Sequence, residues 1–253
     1  DEIVKNLRKV MEEVLRPENF CVSYTGERES LDVVKAQAAG IKKVLFNGQK
    51  PESVKQAPCI KKNEAFKTSG QVQYVAQNGN FRKKGLEYTG ALEILKVILS
   101  YDYLWINLRV KGGAYGCMSG FKRNGESFLV SYRDPHLKRT LEVYQGVPDY
   151  IRAFEADERE MTKYIIGTIS NKDVPRTPQM QGSISKTAYF SNVTEDMLQK
   201  ERNQILGAQK EDIQKLAALV EAVLSDDQIC VVGSETAIEK AEDVFMEVKP
   251  LIG

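Results

Sequence analysis

The sequence predicts an α+β fold, an antiparallel sheet with helices packed on one face. Three observations point to it. A helix, strand, helix pattern occurs at each end of the chain, an Asn-Gly hairpin signal sits in the middle, and long stretches of helical apolar spacing follow that hairpin.

At the start, Ile3, Val4, Leu7, Val10, Met11, Val14 and Leu15 recur at the spacing of an amphipathic helix that stops before Pro17. Phe20 to Thr25 reads as a strand ending at Gly26, and Ser30 to Leu45 as a second helix. At the other end Ile213, Leu216, Val220, Val223 and Leu224 form a helical stripe. Gln228 to Val232 reads as a strand ending at Gly233, and Thr236 to Val248 as a last helix. Setting Val14 to Val22 against Val223 to Val231 places Cys21 on Cys230, which marks an internal duplication of whole domains rather than a solenoid. Residues 1–47 then read as the tail of a preceding homologous domain, 48–65 as a linker rich in Gly, Pro and Lys, and 66–253 as a second, nearly complete copy.

Within that copy Gln71 to Gln77 is a strand closed by Asn78-Gly79-Asn80, and Gly90 precedes a strongly apolar helix ending near Leu108. Tyr115 to Lys122 and Glu126 to Tyr132 flank Asn124-Gly125, the signal for a tight antiparallel turn. Asp134-Pro135 supplies an N-cap and an N1 proline for a helix toward Phe154, Ala156 to Ile169 is helical, and helix resumes after Thr194. The stretch holding Pro175 and Pro178 reads as a loop or broken helix near the surface.

Composition narrows the function classes. The 253 residues are 42% apolar and 28% charged, ordinary globular usage. With 36 Lys plus Arg against 35 Asp plus Glu, the net charge of +1 gives no reason to expect nucleic acid or an anionic membrane as partner. The most apolar run, Ala91 to Leu108, is broken by Glu93, Lys96, Asp102 and Asn107 and suits a buried helix, not a membrane span. Cys21, Cys59, Cys117 and Cys230 lack metal-site or redox spacing, so a reducing compartment is expected, a bacterial cytoplasm or an organelle matrix. The chain opens at Asp1 without an initiator Met or a signal-like segment, and reads as a piece of a longer protein.

The segment Arg109-Val110-Lys111-Gly112-Gly113-Ala114-Tyr115-Gly116 joins the buried helix to the hairpin. Its glycines permit positive φ or a close chain approach, while Arg109 and Tyr115 offer a fixed cation and a phenolic donor able to hold peptide carbonyls. From composition alone it reads first as a glycine turn with a half-buried tyrosine and a solvated arginine. A phosphate loop is a weaker match, since no Lys-Ser or Lys-Thr follows the glycines.

That segment, the hairpin and Ser131-Tyr132-Arg133-Asp134-Pro135 resemble the C-terminal domain of the presequence protease branch of the pitrilysin-type zinc metalloproteases, over roughly residues 70 to 250. The resemblance implies four homologous α+β domains in two halves that close around a chamber where unfolded peptides are cleaved. It also implies a Zn2+ held in the first domain by an inverted H-x-x-E-H motif and a distal Glu. None of those ligands is expected in this chain, whose one histidine, His136, reads as a solvated side chain at a helix start. The fragment alone is therefore expected to be inactive, its partners being unstructured peptides and the N-terminal half of the same protein. By the same resemblance Arg109 and Tyr115 are catalytic and substrate-binding residues that bond to peptide carbonyls on closure, Tyr115 also steadying the oxyanion beside zinc. Gly112 and Gly113 would shape the loop that presents them. Two other readings stay open: a non-catalytic processing-peptidase-like subunit, and a stand-alone module that captures an extended chain at the hairpin edge.

Overall fold

The computed structural model describes residues 1–49, 60 and 62–252. Most of the span read as a linker, and with it Cys59, lies outside the described residues. The helices are α1 (Glu2–Val14), α2 (Leu31–Val44), α3 (Ala91–Ile98), α4 (Lys138–Gln145), α5 (Val147–Arg152), α6 (Glu158–Lys172), α7 (Pro178–Phe190), α8 (Glu195–Leu206), α9 (Lys210–Gln214), α10 (Ala217–Leu224) and α11 (Glu235–Glu239). The strands are β1 (Glu64–Thr68), β2 (Gln73–Asn80), β3 (Gly116–Phe121), β4 (Glu126–Asp134), β5 (Gln228–Ser234) and β6 (Glu247–Pro250). The chain divides into two compact units, residues 1–59 with 175–194, and residues 60–174 with 195–253.

The larger unit is built on one six-stranded sheet in the order β3-β4-β2-β5-β1-β6. It is mostly antiparallel, with β1 running parallel to β5 and β6. Alternation fixes which face is covered: Val75, Gln77 and Gly79 of β2 are buried while Tyr74 and Asn78 between them are exposed. The register continues that face through Ile229 and Val231 of β5 and Leu129 and Ser131 of β4. Helices close on it. The Tyr144 hydroxyl of α4 donates to the Val75 carbonyl at 3.1 Å, and α10 passes so close to β2 that a Cβ on Gly79 would lie 2.0 Å from the Val223 carbonyl oxygen. Phe81, Ile94, Leu95, Ile98, Leu104, Ile205 and Ile213 fill the space beneath at no more than 1% exposure.

Several local expectations are corrected. Pro178 opens α7 instead of breaking a helix: as first helical residue it lacks only an N–H that would have had no partner, and the Thr177 hydroxyl accepts from the Met180 amide at 3.3 Å. The helix after Asp134-Pro135 begins at Lys138, because the Asp134 carboxylate instead accepts from the His136 amide at 2.9 Å and the Thr140 hydroxyl at 2.7 Å. The last helix is short, α11, and the chain then returns to the sheet as β6. Asn124 does not have the positive φ a two-residue primed turn needs. The hairpin instead closes through Gly125, at φ 89°, donating to the Lys122 carbonyl at 2.8 Å.

In the smaller unit α1, α2 and α7 form as helices, but Phe20 to Thr25 is irregular, not a strand. A strand requires a neighbour to take its N–H and C=O groups, and its duplicate Gln228–Ser234 has β2 on one side and β1 on the other. The same contrast holds for the helix before it. Val4, Leu7, Val10, Met11, Val14 and Leu15 are 48–62% exposed, whereas Ile213, Leu216, Leu219, Val220, Val223 and Leu224, their counterparts in the duplication, are 0–6% exposed.

Candidate functional site

After α3 the helix widens into the π form, Leu99–Tyr103 and Trp105–Val110, and then ends at the glycine pair. A stretch of such bonding is uncommon and recurs near functional residues. Here it sets the Arg109 guanidinium 4.4 Å over the Trp105 ring. Leu108, buried at 2% exposure, anchors the end of the helix, while Arg109 and Val110 are exposed.

The two glycines have different reasons. Gly113 has φ 79°, a left-handed backbone that side chains resist. Gly112 has no such φ but no room either: a Cβ there would lie 2.4 Å from the Leu108 carbonyl oxygen. That same oxygen accepts from the Ala114 amide at 2.9 Å, which turns the chain into β3 and brings Tyr115 out beside Arg109.

Structure therefore gathers the four expected site residues into one loop. Arg109 Nη1 donates to the Tyr115 carbonyl, and its guanidinium lies 5.6 Å from the Tyr115 ring centre. The Tyr115 side chain is 56% exposed, and among the described residues its hydroxyl has no hydrogen-bond partner. Arg109 likewise has no carboxylate partner, so the loop presents a free phenol and a cation whose remaining N–H donors face outward. His136 stands exposed in the turn after β4, without the neighbours a zinc centre requires. No three His, Cys, Asp or Glu side chains converge among the described residues, so those residues do not supply the ligand set of the metal the resemblance implies.

Residues beyond those expected join the cluster. The Tyr132 ring occupies the space a Cβ on Gly116 would take and meets the Tyr115 ring edge-on at 5.4 Å. Arg133 has φ 49°, its carbonyl accepts from the Tyr115 amide at 3.3 Å, and its guanidinium lies 5.6 Å from the same ring. Spacing of Trp105 and Arg109 on one helix face was a usable signal for that stack. Nothing in the sequence announces the bend at Arg133.

The hairpin carrying Tyr115 is fixed at its far end as well. Arg123 makes a two-pronged ion pair to Glu201 of α8, whose side chain is 8% exposed, and Asn80 Nδ2 donates to the Asn124 carbonyl at 3.2 Å. Tyr88 leans under the Arg123 guanidinium, and its own hydroxyl is pushed well above the ordinary phenol range, mainly by burial and then by Glu93. At the near end burial raises the Cys117 thiol, with Arg109 partly countering it.

Comparison with known proteins gives the family. Residues 63–235 match the PreP C-terminal domain family, so the chain belongs to the presequence protease branch of the pitrilysin-type proteases as a C-terminal part. It is 42% identical over 250 residues to Protein HypA of Clostridium perfringens, covering 99% of this chain and 26% of that protein. It is 34% identical over 192 residues to Presequence protease 1, chloroplastic/mitochondrial, of Arabidopsis thaliana, covering 74% of this chain and 18% of that one. The chain thus spans about a quarter or less of the curated relatives it matches. Among solved structures, the peptidase M16 inactive domain from Pseudomonas fluorescens shares the fold at TM-score 0.53 and 18% identity, over 88% of this chain and 52% of that one. The first half of the periplasmic protease PqqL from Escherichia coli does so at TM-score 0.52 and 13% identity, over 85% of this chain and 50% of that one. No described helix is long and apolar enough to cross a membrane.

Proposed function

We propose that this chain is the substrate-binding C-terminal part of a zinc-dependent metalloendopeptidase that degrades unfolded peptides in a closed chamber. In that reading the zinc ligands lie in an N-terminal part of the same protein, and the chain alone is inactive. Tyr115 and Arg109 carry the proposal: both reach solvent side by side, the Tyr115 hydroxyl unpaired among the described residues and Arg109 with donors beyond the Nη1 bond to the Tyr115 carbonyl, inside the segment that matches the family.

A peptide carbonyl offers two lone pairs, and the phenol and guanidinium are donors that lose little on exchanging water for it. Arg109 positions peptide through its forked N–H donors, while Tyr115 can add a hydrogen bond where negative charge develops on the attacked carbonyl. The burial contrast across the duplication supports the domain reading. The apolar face of α1 has the sequence of a helix that covers a sheet, which favours reading residues 1–47 as the tail of a preceding homologous domain.

The test is Tyr115→Phe in the intact protein that contains this chain, read as peptide cleavage. Turnover is expected to fall about a hundredfold, as for loss of one oxyanion donor, with the unfolding midpoint unchanged. Arg109→Ala is expected to act mainly through KM. Wild-type turnover in both variants would leave the two residues structural. An intact protein that binds peptide without cleaving it, metal present, is the result expected of a non-catalytic subunit instead.

A further inference from the structure

We infer that Arg133 is a specificity-determining residue of this site, and that with Arg109 it binds a carboxylate of the peptide. The inference rests on the peptide-binding reading above and extends it to a residue that reading does not use.

The observation is how Arg133 arrives. In the β2–β4 ladder Gln73 faces Asp134 and Val75 faces Ser131, so Tyr132 and Arg133 together stand opposite Tyr74. This is a β-bulge, a device that redirects a side chain and that gathers beside functional sites. The extra residue takes a left-handed φ of 49°, a conformation a long side chain adopts only when its surroundings impose it. Its effect is to carry the Arg133 guanidinium onto the Tyr115 ring, 5.6 Å from the centre, the distance Arg109 also holds.

Stacking occupies the flat faces of the two guanidiniums and leaves for a ligand their N–H edges other than Arg109 Nη1, which donates to the Tyr115 carbonyl. Neither has a carboxylate partner among the described residues. The one acid in this stretch, Asp134, is buried at 1% exposure and engaged by His136 and Thr140. Around it the chain adds more cations: Arg139 Nη1 donates to the Lys111 carbonyl at 3.2 Å, so two further basic residues border the loop. A cluster with Arg109, Lys111, Arg133 and Arg139 on one side and a single engaged carboxylate on the other is complementary to an anion, and forked donors favour a planar carboxylate. On an unfolded peptide that group is either its C-terminus or an Asp or Glu side chain.

The experiment uses the intact protein and one unfolded peptide sequence made with Glu or Gln at successive positions around the scissile bond, each with a free or an amidated C-terminus. For wild type, kcat/KM is expected to favour the charged form at one placement by about tenfold, the size of a charge-assisted hydrogen bond in partial contact with water, and the preference should shrink as salt is raised. Arg133→Asn removes the cation while tolerating the left-handed backbone. It should abolish the preference between charged and uncharged peptides, and Arg133→Lys should restore part of it. Preference that follows Glu against Gln assigns a side chain, and preference that follows free against amidated assigns the peptide end. Cleavage with neither preference overturns the inference alone. So does an Arg133→Asn protein that slows all peptides equally while its unfolding midpoint drops, since that is a structural role. No cleavage of any peptide by the wild-type protein overturns the peptidase reading and this one with it.

Discussion

Replacing Gly112 by alanine tests whether the loop geometry, and not merely the presence of Tyr115, matters. The new Cβ would lie 2.4 Å from the Leu108 carbonyl oxygen and 2.9 Å from that of Asn107, and the nearer contact is 1.0 Å inside the 3.4 Å of ordinary van der Waals approach. Both obstacles are backbone, so relief requires the chain itself to move. The Leu108 oxygen is the acceptor for Ala114, so the movement passes directly to Tyr115. A displacement of about 1 Å at a positioning group costs on the order of a hundredfold in rate, while the stability cost of such local overpacking is about 1–3 kcal/mol. Gly113→Ala is the control. Its Cβ would have space, the nearest atom being Pro135 Cγ at 3.6 Å, and it suffers only the left-handed backbone, about 1–2 kcal/mol. In the intact protein the assay is peptide turnover beside denaturant unfolding. Gly112→Ala should lose far more turnover than Gly113→Ala at comparable loss of stability. Equal activities at equal stability would refute the reasoning.

Four further outcomes follow from the structure. Arg123→Ala strands the Glu201 carboxylate, 8% exposed, and should destabilise by about 2 kcal/mol, less than a fully buried pair because Arg123 is itself 36% exposed. A double-mutant cycle with Glu201→Gln measures the coupling, and additivity would dissolve the proposed lock. The exposed stripe of α1 should make the isolated chain bind a hydrophobic dye, and Leu7→Lys with Val10→Lys should reduce that signal; unchanged dye binding would show the stripe is covered. Of the described cysteines, exposed Cys21 should alkylate fastest in peptide mapping, with Cys117 and Cys230 slower because burial raises both thiols, and the rates of these two should still be climbing above pH 9.0. At the β6 edge, hydrogen bonds from Lys249 and then Lys62 lower the Glu247 carboxyl from 4.5 to about 2. Its contribution to stability is therefore complete above pH 4.5 and lost as pH falls toward 2. Glu247→Gln should flatten that acid limb, and an unaltered limb would assign it to other carboxylates.

Legibility in the sequence tracked how regularly apolar residues recur along each element, whether or not the element buries them. Helices α1, α2, α3 and α10 and strands β2, β4 and β5 carry apolar residues at their proper period, and the alternation in β2 reports its covered face directly. Strand β1 escaped notice because only Ala65 in Glu64–Thr68 is buried, and β6 because none of Glu247–Pro250 is. Both are recognised by pairing, which is a property of neighbours and not of the segment. The π-helical stretch was invisible for a related reason, since its apolar content reads equally well as ordinary helix.

The candidate site divides along the same line. Arg109, Gly112, Gly113 and Tyr115 are contiguous, so sequence could present them together, and the resemblance could give them roles. Arg133 reaches the same ring from the far strand of the hairpin, through a bulge detectable only when β2 and β4 are laid side by side. Phe20 to Thr25 is the converse case. It has the composition of a strand and aligns in sequence with β5, yet is irregular here, because strand propensity is realised only against a partner. The prediction this yields is direct. When the preceding part of the protein is present, amides of residues 20–25 should become protected from hydrogen exchange to the degree seen for 228–234. If they exchange freely in the intact protein, the duplication does not extend to structure, and residues 1–47 are not the tail of a homologous domain.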